Sequence, residues 1–346
     1  MTPSPGQEGS QPRDALGPVP EISVVVPLYN ERENVHELHR RLTAALGGLG
    51  IPYEILFVDD GSRDATPGLI DAMQADDPYL AVVHLSRNFG HQPAVTAGLD
   101  HARGRAVLIM DGDLQDPPEV IPQFLDKWRS GCDVVYAVRR NRKEGVVKKV
   151  GYFVFYRLLK WVSDLDIPLD SGDFCLMDRR VVDALKELPE RARFVRGLRT
   201  FVGFRQAGLE YERDARAAGR PKYTFSALVR LAVDGLISFS SYPLRLVTYV
   251  GVVTGLASLL MVAWVVYDAV AGRTAPRGWA SLSAIVLFIG SVQLVCLGII
   301  GEYIRLIFLE SKARPTYVIG DHRPARGGAL PPPPKVAAGS PTDARA

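Results

Sequence analysis

Cysteine is scarce in this chain: Cys132, Cys175 and Cys296 stand far apart, with no C-x-x-C pair and no neighbouring histidine. An odd, scattered set excludes a disulfide framework or a structural zinc site and fits a reducing compartment. A charge excess is also missing. The net is +3 over 346 residues, so no global field favours nucleic acid. Neither G-x-G-x-x-G nor G-x-x-x-x-G-K-[ST] occurs, which removes support for a Rossmann cofactor or a P-loop. The opening MTPSPGQEGSQPRDALGPVP has no apolar core of signal-peptide length, so residues 1–20 read as a disordered tail. The domain after this tail is expected to remain cytoplasmic. From about residue 322 to 346, PPPP and many small residues read as a second disordered tail.

From 22 to about 138, short apolar runs alternate with helical spacing. ISVVVPLYN, EILFVDDGS, AVVHLSRN, AVLIMDGD and DVVYAVR are predicted strands, each ending in polar residues, while 34–46 and 66–75 have helical periodicity. Continuous apolar strands alternating with helices predict an α/β fold with a mostly parallel sheet covered on both faces. Ligands of such sheets sit outside the carboxyl ends of the strands, where these polar residues fall.

Apolar character concentrates near the C-terminus. Residues 246–267 carry no charge and are long enough to cross a ~30 Å hydrocarbon core, and 278–301 form a second such run. The short connection makes them a two-helix hairpin. Arg245 precedes it and Arg305, Lys312 and Arg314 follow, so both tails are expected on the cytoplasmic side of a bacterial inner membrane, Arg273 and Arg277 weakening that signal without reversing it. Within 223–240, Phe225, Leu228, Val229, Ala232, Leu236 and Phe239 recur at helical spacing, which suits an amphipathic interface helix or a core helix equally. Residues 148–162 mix aromatics with Lys148, Lys149, Arg157 and Lys160 and are read as a further membrane-surface segment. The expected divisions are a tail (1–20), a catalytic domain (21–222), a juxtamembrane helix (223–243), the hairpin (244–310) and a final segment (311–346).

Asp111-Gly112-Asp113-Leu114-Gln115-Asp116 follows the strand AVLIM. Two carboxylates one residue apart at a strand end are hard ligands suited to Mg²⁺ or Mn²⁺, which bridge phosphate oxygens. Asp59-Asp60-Gly61-Ser62 ends EILFV, where its carboxylates either accept hydrogen bonds from a base or ribose or simply build a strand-to-helix turn. Pro27-Leu28-Tyr29-Asn30-Glu31 puts an aromatic surface and a carboxylate at the same rim.

VVVPLYNE, VDDGSRD, LSRNFGHQPAVTAGLDHARG, MDGDLQDPPE, SGDFCLMDR and RFVRGL together resemble inverting family 2 glycosyltransferases of the GT-A fold. With two C-terminal spans the chain looks most like bacterial polyprenyl-phosphate glycosyltransferases, and its soluble part is similar to dolichyl-phosphate mannose synthase. The resemblance covers about residues 22 to 314. It implies a nucleotide-sugar donor, a polyprenyl phosphate acceptor, membrane lipids as partners, no nucleic-acid partner and homo-oligomers through the membrane helices. Residue by residue, it implies a nucleotide pocket from Pro27, Tyr29, Glu31, Asp59, Asp60 and Asp111. Metal ligation falls to Asp111, Asp113 and Gln115, and Arg87 and Asn88 match a segment that lies beside the donor or holds the loop. Asp173 matches the residue near the reacting sugar, as a catalytic carboxylate or a hydrogen-bonding group. Acceptor phosphate contacts fall on Arg139, Lys148, Lys149, Arg220 and Lys222. Pro221 stands where family members commonly have serine, so the family's geometry is not carried over to that segment. A processive polysaccharide synthase is disfavoured by the absence of Q-x-x-R-W and by only two spans. A non-catalytic scaffold has no need of the whole acidic set.

Overall fold

The computed structural model describes residues 19–139, 171–191, 193–211, 242–271 and 278–327. Strands β1 (Ile22–Leu28), β2 (Tyr53–Asp59), β3 (Leu80–Leu85) and β4 (Ala106–Ile109) are nearly continuous buried runs, as strands covered on both faces require. Between them lie α1 (Val35–Gly47), α2 (Thr66–Asp76) and α3 (His91–His101). After β4 come α4 (Ile121–Arg129), β5 (Val134–Arg139), β6 (Ser171–Asp178), α5 (Arg179–Glu187), α6 (Val195–Phe201) and β7 (Gln206–Tyr211). Two long helices, α7 (Tyr242–Val270) and α8 (Trp279–Ser311), precede β8 (Ile319–Arg323).

These strands form one sheet in the order β7-β5-β6-β4-β1-β2-β3-β8. β1 pairs in parallel with β2 and β4, β2 with β3, and β5 with β7. β6 runs antiparallel to β4 and β5, and β8 antiparallel to β3. Side chains alternate across the pleat, so each strand feeds two cores. Val24, Val26 and Leu28 of β1 pack with Val35, Leu38 and Leu42 of α1 and Phe124 of α4, while Val25 joins Val95 of α3, Val182 of α5 and Leu198 of α6. The expected mostly parallel, doubly covered sheet is present; β6 within it and β8 at its edge run against the rest.

Beyond the sheet, α8 has 33 residues and a length of roughly 50 Å, more than a ~30 Å hydrocarbon core. Its stretch Phe288–Ser311 is long and apolar enough to cross a membrane; Val247–Met261 of α7 is apolar but shorter. The expected span 278–301 overlaps this stretch, and Glu302, Arg305 and Glu310 beyond it interrupt the apolar run without abolishing its hydropathy. Leu260, Trp264 and Leu294 stand well exposed on these helices.

Residues 322–325, read from composition as part of a tail, are part of the folded domain. His322 and Arg323 lie in β8, and Ala325 is buried against the sheet. A five-residue edge strand rich in polar side chains leaves almost no periodic signal. The amphipathic segment 223–240 and residues 148–162 fall outside the described residues.

Helix α3 approaches β1 closely because Gly98 has no side chain; a Cβ there would stand 2.1 Å from Val25 Cγ1. Gly98→Ala is expected to destabilise the fold by about 1–3 kcal/mol through overpacking. An unchanged thermal unfolding midpoint for the purified variant would show that α3 rides away from β1 freely.

Candidate active site

The parallel register brings the carboxyl ends of β1, β2 and β4 to one rim. Pro27 lies opposite Val58, Leu28 opposite Asp59, and Val25 opposite Ile109, so the chain segments leaving these strands surround a common space. That space is a cleft of about 770 Å³ whose walls include Pro27, Tyr29, Glu31, Asp60, Asn88, His91, Asp111, Asp113 and Asp173. The Asp111–Asp113 loop hugs β1: a Cβ on Gly112 would come within 2.6 Å of Leu28 Cδ2, so the residue between the two aspartates has to be small. Leu114, buried, takes a left-handed φ of 60° and turns the chain back. Asp116 then accepts a 2.5 Å hydrogen bond from the Tyr211 hydroxyl at the end of β7.

Asp173 reaches the cleft through a fault in the sheet. Tyr136 pairs with Cys175 and Val138 with Ser171, so three residues of β6, Gly172 to Phe174, face one residue of β5. Such a bulge bends a strand and re-aims a side chain. On the other side Ile109 pairs with Cys175, and carrying that register on by two residues sets Asp173 level with Asp111. Arg196 of α6 donates from Nη2 to Asp173 Oδ1 at 3.2 Å.

Asp60 is 3% exposed and accepts hydrogen bonds from the backbone amides of Phe89 and Gly90 at 2.7 and 2.9 Å. Burial raises its pKa, the two amides oppose that, and nearby Asp59 adds to the rise. His91, at the first residue of α3, holds Nε2 3.1 Å from Asp111 Oδ1. Burial works against its charge, but Asp111, Asp173 and Asp60 outweigh it and raise its pKa.

Asp59 is placed differently from its neighbour. It is buried beneath the rim, where Oδ1 accepts the Ser62 amide at 3.0 Å and Oδ2 lies 3.1 Å from His84 Nδ1. His84 Nε2 lies 3.0 Å from Asp71, which also pairs with Arg323 of β8 at 3.0 Å. The turn beyond it needs glycine, since Gly61 has φ 64° and a Cβ would meet the Arg87 backbone at 2.4 Å. The Gln115 amide donates to Asp113 Oδ1 at 3.2 Å. Arg87 stacks over Phe89 at 4.5 Å. Arg139 ends β5, and Lys148, Lys149, Arg220 and Lys222 lie outside the described residues.

Sequence reasoning did not assign His91 and Arg196, nor the cleft-lining Arg32, Glu33, Arg63 and Asp64. Gly90, at φ 105° before the helix start, is a local cue that the next side chain sits at a helix mouth. For Arg196 no spacing cue exists, because its partnership with Asp173 depends on the bulge in β6.

The chain matches glycosyl transferase family 2 over residues 23–186 and the GtrB C-terminal hairpin over 242–307. An uncharacterized glycosyltransferase of Bacillus subtilis is 44% identical, the match covering 86% of this chain and 93% of the relative. The bactoprenol glucosyl transferase of Shigella phage SfV is 41% identical, covering 88% and 99%. Among solved structures, Mycobacterium tuberculosis glucosyl-3-phosphoglycerate synthase in complex with Mn²⁺, UDP and glucosyl-3-phosphoglycerate is 21% identical. It has a TM-score of 0.45, covering 63% of this chain and 79% of that one. The likeness is distant.

The Asp59–His84–Asp71 chain predicts a pH dependence. Hydrogen bonding to Asp59, then to Asp71, raises the His84 pKa against the opposing effect of burial. A raised folded-state pKa gives stability that is full below the unfolded histidine value near ~6.5 and lost as pH rises through the folded value. The melting-temperature advantage of the parent over His84→Gln is therefore expected to shrink as pH increases. An advantage that grows with pH would overturn this role.

Proposed function

Because the chain belongs to glycosyltransferase family 2, we propose that it moves a sugar from a nucleotide diphosphate donor, UDP-linked by preference, onto a polyprenyl phosphate at the cytoplasmic membrane face. The polyprenyl acceptor is taken from the bactoprenol glucosyl transferase relative, and the membrane placement from the hairpin match and the apolar stretch of α8.

The observation that carries the reading is electrostatic. Glu31, Glu33, Asp60, Asp64, Asp111, Asp113 and Asp173 line the cleft against Arg32, Arg63 and His91. A diphosphate entering such a space needs further cations. Asp111 and Asp113 are hard oxygen donors that fit Mg²⁺ or Mn²⁺, with Gln115 beside them. Among the described residues no three His, Cys, Asp or Glu side chains converge to hold an ion alone. That suits Mg²⁺, which is commonly bound by one or two carboxylates plus substrate phosphates. When bound, such an ion neutralises charge on the departing diphosphate.

The chain's own residues do the rest. Pro27, Tyr29, Glu31 and Asp60 form the nucleotide wall, with Asp59 supporting it from beneath. The amino end of α3 opens on the cleft at Gly90 and His91, adding a favourable field for phosphate. The acceptor is a phosphate monoester with a second pKa near ~6, so it is already largely deprotonated at neutral pH. Its oxygen attacks the anomeric carbon and forms the new bond. The bond to the diphosphate breaks, the electron pair leaves with the nucleotide, and configuration inverts. Asp173 positions the sugar or stabilises its developing positive charge, and Arg196 holds that carboxylate in place. Arg139, Lys148, Lys149, Arg220 and Lys222 gather the acceptor phosphate. Catalysis of this kind rests on proximity and electrostatics.

Transfer of radiolabelled sugar into a lipid extract tests the reading, with a panel of nucleotide sugars offered alongside undecaprenyl phosphate. Asp113→Ala is expected to lower turnover by about 100-fold or more while the protein still folds and inserts, the scale of a lost electrostatic stabiliser. Excess EDTA is expected to do the same to the parent. Near-normal turnover in both experiments would remove the metal from the mechanism.

A further inference from the structure

Towards the carboxyl end of α3, away from the catalytic cleft, lies a second cavity of about 380 Å³, walled by α3, the turn after α5 and the segment leaving α8. Its depth relative to a bilayer is set by α8. The candidate span ends at Ser311, the cavity wall includes Tyr317, and the Arg191 amide donates to Glu310 in the last turn of the helix at 2.9 Å. The cavity therefore lies beside the end of the apolar helix.

Three cations line it: Lys186, Arg191 and Arg193. Their hydrogen bonds run to carbonyl oxygens. Lys186 donates to Asp100 O at 3.0 Å, Arg193 to the carbonyls of Leu185, Leu188 and Glu190, and Arg191 Nη1 to the carbonyl of Arg314. Carbonyls satisfy donors but, among the described residues, leave these positive charges uncompensated by hydrogen-bonded carboxylates. Two carboxylates share the walls. Asp100 is engaged by the Tyr317 hydroxyl at 2.8 Å, whereas Glu190 Oε2 is buried without a hydrogen-bond partner among the described residues. A buried unpaired carboxylate oxygen costs free energy that an incoming donor would recover.

The cavity thus asks for an anion and a hydrogen-bond donor together. We infer that it seats the headgroup of a membrane phospholipid bearing a phosphodiester and a primary ammonium, the phosphate on Lys186 and Arg191 and the ammonium on Glu190. Phosphatidylethanolamine has both groups. Phosphatidylcholine has a quaternary nitrogen with no N–H, and phosphatidylglycerol has no cation. The bound lipid fastens the carboxyl half of α3 and the α5–α6 turn to the end of α8, setting the catalytic sheet against the membrane. This inference rests on the hairpin being membrane-embedded.

Native mass spectrometry of the full chain, released from nanodiscs of mixed phosphatidylethanolamine, phosphatidylcholine and phosphatidylglycerol, tests it. The parent is expected to retain phosphatidylethanolamine selectively. Glu190→Gln should lose that preference over phosphatidylcholine, and Lys186→Met with Arg191→Ala should lose the retained lipid while still transferring sugar. Equal retention by parent and Glu190→Gln, or a preference for phosphatidylglycerol, overturns the assignment. So does tight binding of free phosphoethanolamine by a protein that retains no lipid. Release of the parent from membranes by alkaline carbonate would instead sink the membrane reading, which separates the two failures.

Discussion

Seven carboxylates share the wall of one cleft, and like charges held that near require counter-charge before another anion can join them. Two unit charges ~6 Å apart repel by about 3 kcal/mol at an effective dielectric of ~20, and a diphosphate meets several such repulsions at once. Arg32, Arg63 and His91 on the walls offset only part of this. The site is therefore suited to substrates that bring positive charge with them, and its excess of acid over base is a feature of the chemistry. Acidic walls disfavour a phosphate that comes without counter-charge. They also favour the positive charge that develops on a sugar as its bond to the diphosphate breaks.

Sheet topology gives that arrangement its precision. Parallel pairing aligns the ends of β1, β2 and β4, and the antiparallel β6 returns beside β4 so that a residue from a distant stretch of chain meets Asp111. The bulge opposite Ala137 frees Asp173 from the ladder, and Arg196 then restrains the freed carboxylate. A side chain delivered by a rigid strand is better placed than one on a loop. The same economy appears under the rim, where Asp59 is committed to His84 and the turn while Asp60 faces the cleft.

Much of this was legible in the residues themselves. Uninterrupted apolar runs such as ISVVV and EILFV identify strands because both faces are buried, and D-G-D at a strand end marks a ligand rim. What stayed hidden depends on contacts across the sheet. β6 reads as a motif, SGDF, because a bulged strand breaks the alternation that would reveal it. β8 is too short and too polar to signal pairing. Asp59 and Asp60 are adjacent and chemically identical, and only the turn at Gly61 decides which one faces the cleft. The Arg196–Asp173 pair spans 23 positions with no periodic link between them.

The C-terminal segment connects the site to its placement at a membrane. After leaving α8, the chain adds β8 to the exposed edge of β3, and Arg323 closes the charge chain running through Asp71 and His84 to Asp59. An edge strand left unpaired beside a membrane would be a template for misassociation. Covering it with the sequence that follows α8 solves that problem and joins the sheet to the end of α8 by backbone hydrogen bonds. Glu310 accepting the Arg191 amide ties the other face at the same level. The segment after α8 and the end of α8 thus hold the domain at two points, and α3 begins at Gly90 and His91 in the cleft wall. The helix that lines the cleft at its start thus stands between the site and the segment leaving α8.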